Sequence, residues 1–271
     1  MIQIKSDAEV ALMREAGLVV GRTLEALSAA AVPGVTTADL DELAESSIRA
    51  SGAVPSFKGY QPQPAVPPFP GSICASVNDE IVHGIPGPRV LRDGDVVSID
   101  CGAVLDGWHG DAAVTVAVGD VADEVLELMR VTEESMWRGF AAARLGGRVS
   151  DIGHAIESYV RSQGSYGIVE EYGGHGIGTE MHQEPHVLNH GRPGRGPRLQ
   201  KGLVLAVEPM LTLGGRYTRE LDDHWTVSTT DGTVAAHFEH TFTVTEDGPW
   251  VLTSLDGGRL RLADLGVATA G

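Results

Sequence analysis

The chain begins with two segments whose apolar residues recur every three or four positions, the spacing of one face of a helix. The first covers residues 6–31, where Ser6 is expected to cap the helix and Glu9 to complete a capping box. Thr37 is expected to cap the second helix, which ends near Gly52. A second pair of helices is predicted in the middle of the chain, over residues 121–145 and 150–163.

Short apolar runs typical of strands lie between and after these helices. ICASV and VVSIDCGAVL come first, and a tight turn at Asp106-Gly107 leads into a returning strand, HGDAAVTVAV. The second helix pair is followed by LVLAVEPML, HWTVSTT and AAHFEHTFTVTE. Helix pairs and strand groups alternate in blocks. We therefore expect an α+β fold, in which two halves of similar arrangement pack helices on one face of a mainly antiparallel sheet.

Composition and charge narrow the class of protein. The 271 residues carry a formal net charge of −17 and only three lysines. We expect no nucleic-acid partner, because phosphate binding needs clustered basic residues. The two cysteines do not make a disulfide framework. Since neither an export signal nor a membrane-length apolar run is recognised, we expect a cytoplasmic monomer without membrane association.

Charged side chains occur in several apolar or glycine-rich segments, where a bare charge is unfavourable. Asp100 and Asp111 lie on the two strands joined by the tight turn, so side chains on one face are expected within about 5 Å. Two carboxylates that close repel each other, and a divalent cation between them removes the repulsion. Two such ions would balance the four negative charges of the whole set, which is Asp100, Asp111, His175, Glu208 and Glu239.

The residue types indicate which ions such a site would take. Carboxylates with one imidazole suit Mn, Fe, Co or Zn, and differ from the thiolates of structural zinc sites. Two ions about 3.5–4 Å apart can hold and deprotonate a water for hydrolysis. Each residue alone also fits a structural role: Asp100 or Asp111 at a turn or strand end, Glu239 on a solvent-facing strand, His175 in a glycine-rich loop. Spacing alone leaves both interpretations open.

Six motifs resemble those of type I methionine aminopeptidases: CASVNDEIVHGIPG, DGDVVSIDCGA, GWHGDAAVTVAVG, GGHGIGTEMHQEPHV, GLVLAVEPM and FEHTFTVT. The match as a whole runs in order from about residue 6 to about residue 252. That family has the pita-bread fold, two pseudo-symmetric halves with a curved antiparallel sheet covered by helices, around a dinuclear metal centre. We expect one catalytic domain over residues 1–253. The tail, residues 254–271, is expected to be partly disordered.

The resemblance implies a role for each charged residue. Asp100 would chelate one metal ion, while Asp111 and Glu239 would bridge both ions. His175 and Glu208 would complete the second ion. Glu208 would also accept a proton from the bridging water, as a general base.

The resemblance adds two histidines that the charge argument does not reach. His83 resembles a histidine that contacts the substrate backbone near the scissile amide. His182 resembles one that polarises the carbonyl and steadies the tetrahedral intermediate. By residue type alone, His83 also fits a loop histidine and His182 a histidine at the end of a surface helix.

An apolar pocket for methionine is also implied, because a thioether fits against aromatic rings and a soft sulfur. Cys74 would be a wall of this pocket rather than a nucleophile. The proline-rich segment GYQPQPAVPPFPGS is expected to be a loop, longer than the family's, and its Phe69 and Tyr60 are assigned to the pocket's aromatic places. The substrate-binding residues implied are Cys74, Met181, Trp225, Phe69 and Tyr60, together with His83 and His182.

The predicted protein is therefore a metalloaminopeptidase that uses two divalent ions per chain (Co, Mn, Fe or Zn). It would remove the initiator methionine when the second residue is small. Its substrates would be the N-termini of nascent polypeptides, near the ribosome after deformylation.

Three other kinds of protein with the same fold would differ from this sequence in particular features. An Xaa-Pro aminopeptidase or prolidase would share the ligands but not the context of Cys74 or the string NDEIVHGIP. A non-catalytic relative that binds ribosomes or RNA would lose ligands and gain basic surface. A metal-free hydrolase such as creatinase would not carry the complete carboxylate set.

Overall fold

The computed structural model describes residues 2–269 as an α+β protein. Its helices are α1 (Asp7–Ala30), α2 (Thr37–Ala50), α3 (Asp123–Ala142), α4 (Val149–Gln163) and α5 (Arg259–Asp264). Its strands are β1 (Val54–Pro55), β2 (Ile73–Val77), β3 (Glu80–Val82), β4 (Val96–Leu105), β5 (Trp108–Ala117), β6 (Gly167–Ile168), β7 (Gly174–Gly176), β8 (Gln183–Val187), β9 (Val204–Val207), β10 (Met210–Thr212), β11 (Thr218–Glu220), β12 (Val227–Thr229), β13 (Ala235–His237), β14 (Glu239–Thr245) and β15 (Gly248–Val251). No helix within residues 2–269 combines the length and the apolar character needed to cross a membrane.

Reciprocal capping boxes start the first two helices. The Ser6 hydroxyl accepts the Glu9 N–H at 3.3 Å, and the Glu9 carboxylate accepts the Ser6 N–H at 2.7 Å, as predicted. The cap of α2 was predicted at Thr37 but is Thr36. The acidic partner decides this, because Asp39 lies three residues after Thr36 and exchanges the same two hydrogen bonds with it.

A central antiparallel sheet joins the two halves of the fold. Its strand order is β1-β4-β5-β14-β9-β7-β8, with β2 added to β4 and β15 to β14. One apolar core lies between α1, α2 and the first-half strands, and it includes the buried Cys101. A second core lies between α3, α4 and the second-half strands. The halves meet where β5 pairs with β14, at Glu239 opposite Ala113.

Two of the predicted strands are interrupted beside charged residues. LVLAVEPML forms β9 and β10, with a break at Glu208-Pro209, and AAHFEHTFTVTE forms β13 and β14, with a break at Phe238. β9 pairs with β14 in the central sheet, whereas β10 pairs with β13 in a separate three-stranded sheet. Each of these two segments therefore passes from one sheet to the other at its break. This change leaves Glu208 and Glu239 at the seam between the two sheets.

The segment after residue 253 packs on the body of the protein. Helix α5 buries Leu262 in the second core. The Arg14 guanidinium donates to the carbonyls of Leu252 at 2.6 Å, Ser254 at 2.5 Å and Leu255 at 2.9 Å. These bonds tie the start of the tail to α1. The last two residues of the predicted tail lie outside the described residues.

Helix α1 lies directly on backbone atoms of its neighbours. A Cβ added to Gly17 would lie 2.3 Å from the Leu252 carbonyl oxygen, and one added to Gly110 would lie 2.8 Å from the Gly17 nitrogen. Backbone atoms cannot turn aside as the end of a side chain can. A side chain at either glycine must therefore push α1 away from the sheet.

We expect Gly17→Ala to lower the free energy of unfolding by about 1–3 kcal/mol, the usual cost of overpacking. Denaturant unfolding of the purified protein measures this. Gly87→Ala is the matched control, because a Cβ at Gly87 meets no atom within 4 Å. Equal stability of the two variants would contradict the close packing of α1.

Candidate active site

The first-half carboxylates come from neighbouring strands of the central sheet. Asp100 on β4 is opposite Ala113, and Asp111 on β5 is opposite Gly102. The two aspartates are therefore diagonal neighbours on one face rather than a directly opposed pair. Glu239 on β14 lies in the same row, because it also pairs with Ala113.

The second half contributes an imidazole and a fourth carboxylate. The Nε2 atom of His175 lies 3.6 Å from Glu208 Oε1 and 4.0 Å from Asp111 Oδ2. The Nδ1 atom of His175 is 3.0 Å from the carbonyl oxygen of Gly176. Since a carbonyl can only accept, Nδ1 carries the proton and Nε2 presents its lone pair to the carboxylates. Burial lowers the pKa of His175 to about 3, so the ring is a neutral ligand.

The electrostatics of this cluster fit a cation. Burial raises the pKa of Asp100 to about 7, and burial with the nearby charge of Asp100 raises that of Glu208 to about 8. Burial also raises the pKa values of Asp111 and Glu239 well above their ordinary range. Within the described chain, buried oxygens without a hydrogen-bond partner include Asp100 Oδ1, Asp111 Oδ1 and Glu239 Oε1. Such oxygens suit direct coordination of a divalent ion.

A cavity of about 580 Å³ opens beside the carboxylates. One side of it is the charged cluster, and the other is an apolar cluster that includes Phe57, Phe69, Cys74, Met181 and Trp225. All the site residues predicted from the sequence line this cavity: Tyr60, Phe69, Cys74, His83, Asp100, Asp111, His175, Met181, His182, Glu208, Trp225 and Glu239.

Cys74 lies at the border between the two sides, because it pairs with Asp100 across β2 and β4. The side chain is only 5% exposed. Burial, and then the charge of Asp100, raise the pKa of the Cys74 thiol well above its usual value. The thiol therefore stays protonated. A nucleophilic cysteine must instead form the thiolate, so the protonated thiol suits a residue of the pocket wall.

The proline-rich loop forms part of the pocket mouth. Backbone hydrogen bonds between Gly59 and Phe69 at 2.8 Å, and between Phe69 and Tyr60 at 2.9 Å, close its two ends. The indole N–H of Trp225 donates to the Pro67 carbonyl at 2.9 Å. Phe57, just before this closure, is a pocket residue that the sequence reasoning missed. Its only sequence signal is its place next to the Gly-Tyr that opens the loop.

The two predicted substrate histidines contact different residues of the cavity wall. His83 stands edge-on to the rings of Tyr172 and Trp225, at 5.7 and 6.3 Å between centroids. Burial lowers the pKa of His83 to about 4, so its ring is neutral near pH 7. The His182 ring lies 4.5 Å from that of His175, and its Nδ1 is 3.1 Å from the Tyr60 hydroxyl.

Comparison with known proteins agrees with this site. Residues 11–246 match the model of metallopeptidase family M24. The chain belongs to that family. It is 52% identical over 254 residues to the methionine aminopeptidase of Clostridium acetobutylicum, covering 93% of this chain and 99% of that protein. It matches the crystal structure of methionine aminopeptidase from Rickettsia prowazekii with a TM-score of 0.89 and 40% identity, over 93% of this chain and all of the other.

These findings confirm the predicted resemblance to methionine aminopeptidases, the pita-bread fold and the class of enzyme, a metallopeptidase. Use of divalent metal follows from the family. The prolidase from Pyrococcus furiosus matches with a TM-score of 0.73 at 20% identity, over 93% of this chain and 65% of that one. At that identity the match to the prolidase shows the shared fold alone.

In this M24 metallopeptidase the N-terminal segment forms hydrogen bonds with the loop that carries Met181 and His182. The Gln3 carboxamide bonds with Thr179 at 3.3 Å and with Gln183 at 2.9 Å. Lys5, only 4% exposed, donates to Gln183 at 3.3 Å. The segment before α1 thus reaches the loop that faces the cavity.

His237 lies near the carboxylate cluster and was not predicted from the sequence. It is 1% exposed, and its Nε2 lies 3.8 Å from both Glu208 Oε2 and Glu239 Oε2. Glu208, His237 and Glu239 form one of two groups able to hold a metal ion in the described chain; Asp111, His175 and Glu239 form the other. The sequence signal is its place two residues before Glu239, which puts both side chains on one face of an extended chain.

Proposed function

We propose that this M24 metallopeptidase is a methionine aminopeptidase that removes the initiator methionine when the second residue is small. The observation that carries the proposal is the border at Cys74, where an apolar cavity wall adjoins Asp100 across two paired strands. A methionine side chain held against Phe69 and Trp225 would bring its own carbonyl to the carboxylates. The curated relatives that bear this name span almost the whole chain.

The metal centre in this proposal uses the five predicted ligands. Asp100 would hold one ion, Asp111 and Glu239 would serve both, and His175 with Glu208 would hold the second. We propose two ions per chain, because four carboxylates, each with a pKa raised by burial, balance the four positive charges of two divalent ions. Bound Co, Mn, Fe or Zn would supply Lewis acidity, polarising the scissile carbonyl and lowering the pKa of a water.

The side chains around this centre perform the proton transfers and orient the substrate. Glu208 takes a proton from the attacking water while the water oxygen bonds to the methionine carbonyl carbon. His182 donates to the carbonyl oxygen as negative charge develops there. His83 contacts the backbone amide that joins methionine to the second residue. The carbon–nitrogen bond then breaks, and the proton held by Glu208 passes to the leaving amine.

The setting of the reaction is part of the proposal. We infer one catalytic domain over residues 1–253, acting as a monomer in the cytoplasm. Its substrates are the N-termini of nascent polypeptides near the ribosome, after deformylation. We infer that the second residue must be small, because His83 and His182, which both line the cavity, would lie beside the scissile amide.

Peptide hydrolysis tests this function directly. We expect the metal-loaded protein to cleave Met-Ala-Ser and to leave Ala-Pro-Ser and Met-Leu-Ser intact, as followed by chromatography of the products. Comparing Met-Ala-Ser with Ala-Pro-Ser separates a methionine aminopeptidase from an Xaa-Pro peptidase of the same fold. Comparing Met-Ala-Ser with Met-Leu-Ser tests the requirement for a small second residue. Preference for Ala-Pro-Ser would overturn the proposal.

A further inference from the structure

A buried histidine, His237, lies against the metal centre and has no part in the ligand set proposed above. Its Nε2 atom has no hydrogen-bond partner within the described residues, and the residue is 1% exposed. Unpaired buried nitrogens are uncommon, because each loses its hydration without replacement. The nearest acceptors are the Oε2 atoms of Glu208 and Glu239, both at 3.8 Å.

The two oxygens of Glu208 face different imidazoles. Oε1 lies 3.6 Å from His175 Nε2, and Oε2 lies 3.8 Å from His237 Nε2. The backbone of His237 is fixed from the other side, because the Thr115 hydroxyl accepts its N–H at 2.9 Å and donates to its carbonyl at 2.8 Å. Strand pairing with Met210 holds the same residue in register. The ring can therefore adjust only by side-chain rotation.

We propose that His237 is a positioning residue for Glu208: its Nε2–H donates to Oε2 of Glu208 and leaves Oε1 for the metal centre. This inference rests on the role of Glu208 in the proposed function. A separation of 3.8 Å exceeds a hydrogen bond, so the proposal requires a rotation of the Glu208 carboxylate that shortens it to about 2.7–3.2 Å. Groups in this outer position orient the ligand, and their loss typically costs about 10–100-fold in metal affinity or activity.

Two substitutions separate positioning from other roles. His237→Leu removes the donor and keeps an apolar side chain of similar bulk, whereas His237→Gln keeps an N–H donor without an imidazole. We expect His237→Leu to bind Co(II) about 10–100-fold more weakly in competition with a chromophoric chelator. We expect kcat for Met-Ala-Ser to fall in proportion, with KM little changed. His237→Gln should recover most of both losses.

Matched controls keep the test interpretable. His154→Gln changes an exposed histidine on α4 and should leave affinity and kcat unchanged. Thr115→Val removes the hydroxyl that fixes the His237 backbone. It should lower Co(II) affinity and kcat as well, but by a smaller factor than His237→Leu. It also provides the test if His237→Leu fails to fold. Thermal unfolding of the metal-free proteins identifies that failure.

The outcomes are distinct. Normal Co(II) affinity and kcat in His237→Leu would overturn the proposal. Failure of His237→Gln to recover, with loss of a nitrogen ligand from the Co(II) spectrum of both variants, would also overturn it and make His237 a direct ligand. If the unsubstituted protein does not cleave Met-Ala-Ser, the proposed function fails, while the chelator competition still decides the role of His237.

Discussion

Asp111→Asn is expected to lower kcat for Met-Ala-Ser by at least about a thousandfold, and Glu239→Gln by a similar factor. Each removes a carboxylate that the proposed function assigns to both ions. A metal acting as Lewis acid supplies several kcal/mol of transition-state stabilisation, and about 4 kcal/mol corresponds to about a thousandfold in rate. Initial rates at saturating peptide, with metal content measured on the same samples, give the result.

Metal-free Asp111→Asn should unfold within about 1 kcal/mol of the metal-free unsubstituted protein. The reason is that burial raises the pKa of Asp111, which favours the neutral acid that asparagine closely resembles. Glu42→Gln, at an exposed position on α2, is the matched control for both measurements. Near-normal turnover in Asp111→Asn would remove the two-ion proposal. Loss of folding would instead assign Asp111 a structural role.

Removal of metal is the second large effect. Chelation is expected to stop hydrolysis, and adding back one of Mn, Fe, Co or Zn at a time should restore it. A ligand at 100 times its Kd stabilises the folded state by about 2.7 kcal/mol. At about 2–4 °C per kcal/mol for a chain of this size, the Tm should rise by roughly 5–10 °C. Thermal unfolding with and without each ion measures the shift.

Stoichiometry sharpens the same experiment. A calorimetric titration should reach its end point near two ions per chain, and Asp111→Asn should lose most of the Tm shift. Hydrolysis that survives complete chelation would contradict metal dependence. A single equivalent that restores full activity would contradict the use of two ions, while leaving the ligand residues in place.

Local sequence signals located most of the regular structure, because they act over a few residues. Ser6 with Glu9 predicted the start of α1, and the turn at Asp106-Gly107 predicted the β4–β5 hairpin. The same signals misplaced the cap of α2 by one residue, where Thr36 and Thr37 both offer a hydroxyl. They also predicted LVLAVEPML as a single strand, because apolar periodicity does not report which sheet a strand joins.

The residues of the proposed ligand set could be selected from the sequence, whereas their contacts could not. Charged residues in apolar segments indicated a cation site, and the motifs named its members. The two-residue turn at Asp106-Gly107 fixes the strand register, and the diagonal placement of Asp100 and Asp111 follows from it, whereas the sequence analysis used the turn only to place them on one face. Phe57 and His237 were missed, because neither belongs to a recognised motif and both become site residues only through distant contacts.

The sequence by itself determined most of the helices and strands, the α+β class, the family and the carboxylates and imidazole of the candidate site. These depend on local propensity, on the cost of a buried charge and on short strings. Only the tertiary structure decided that Cys74 faces Asp100, that the proline-rich loop reaches Trp225, and that His237 lies beside Glu208. Each of these contacts joins residues that are far apart in the chain or on different sheets. The distance between them in space depends on the packing of the whole fold.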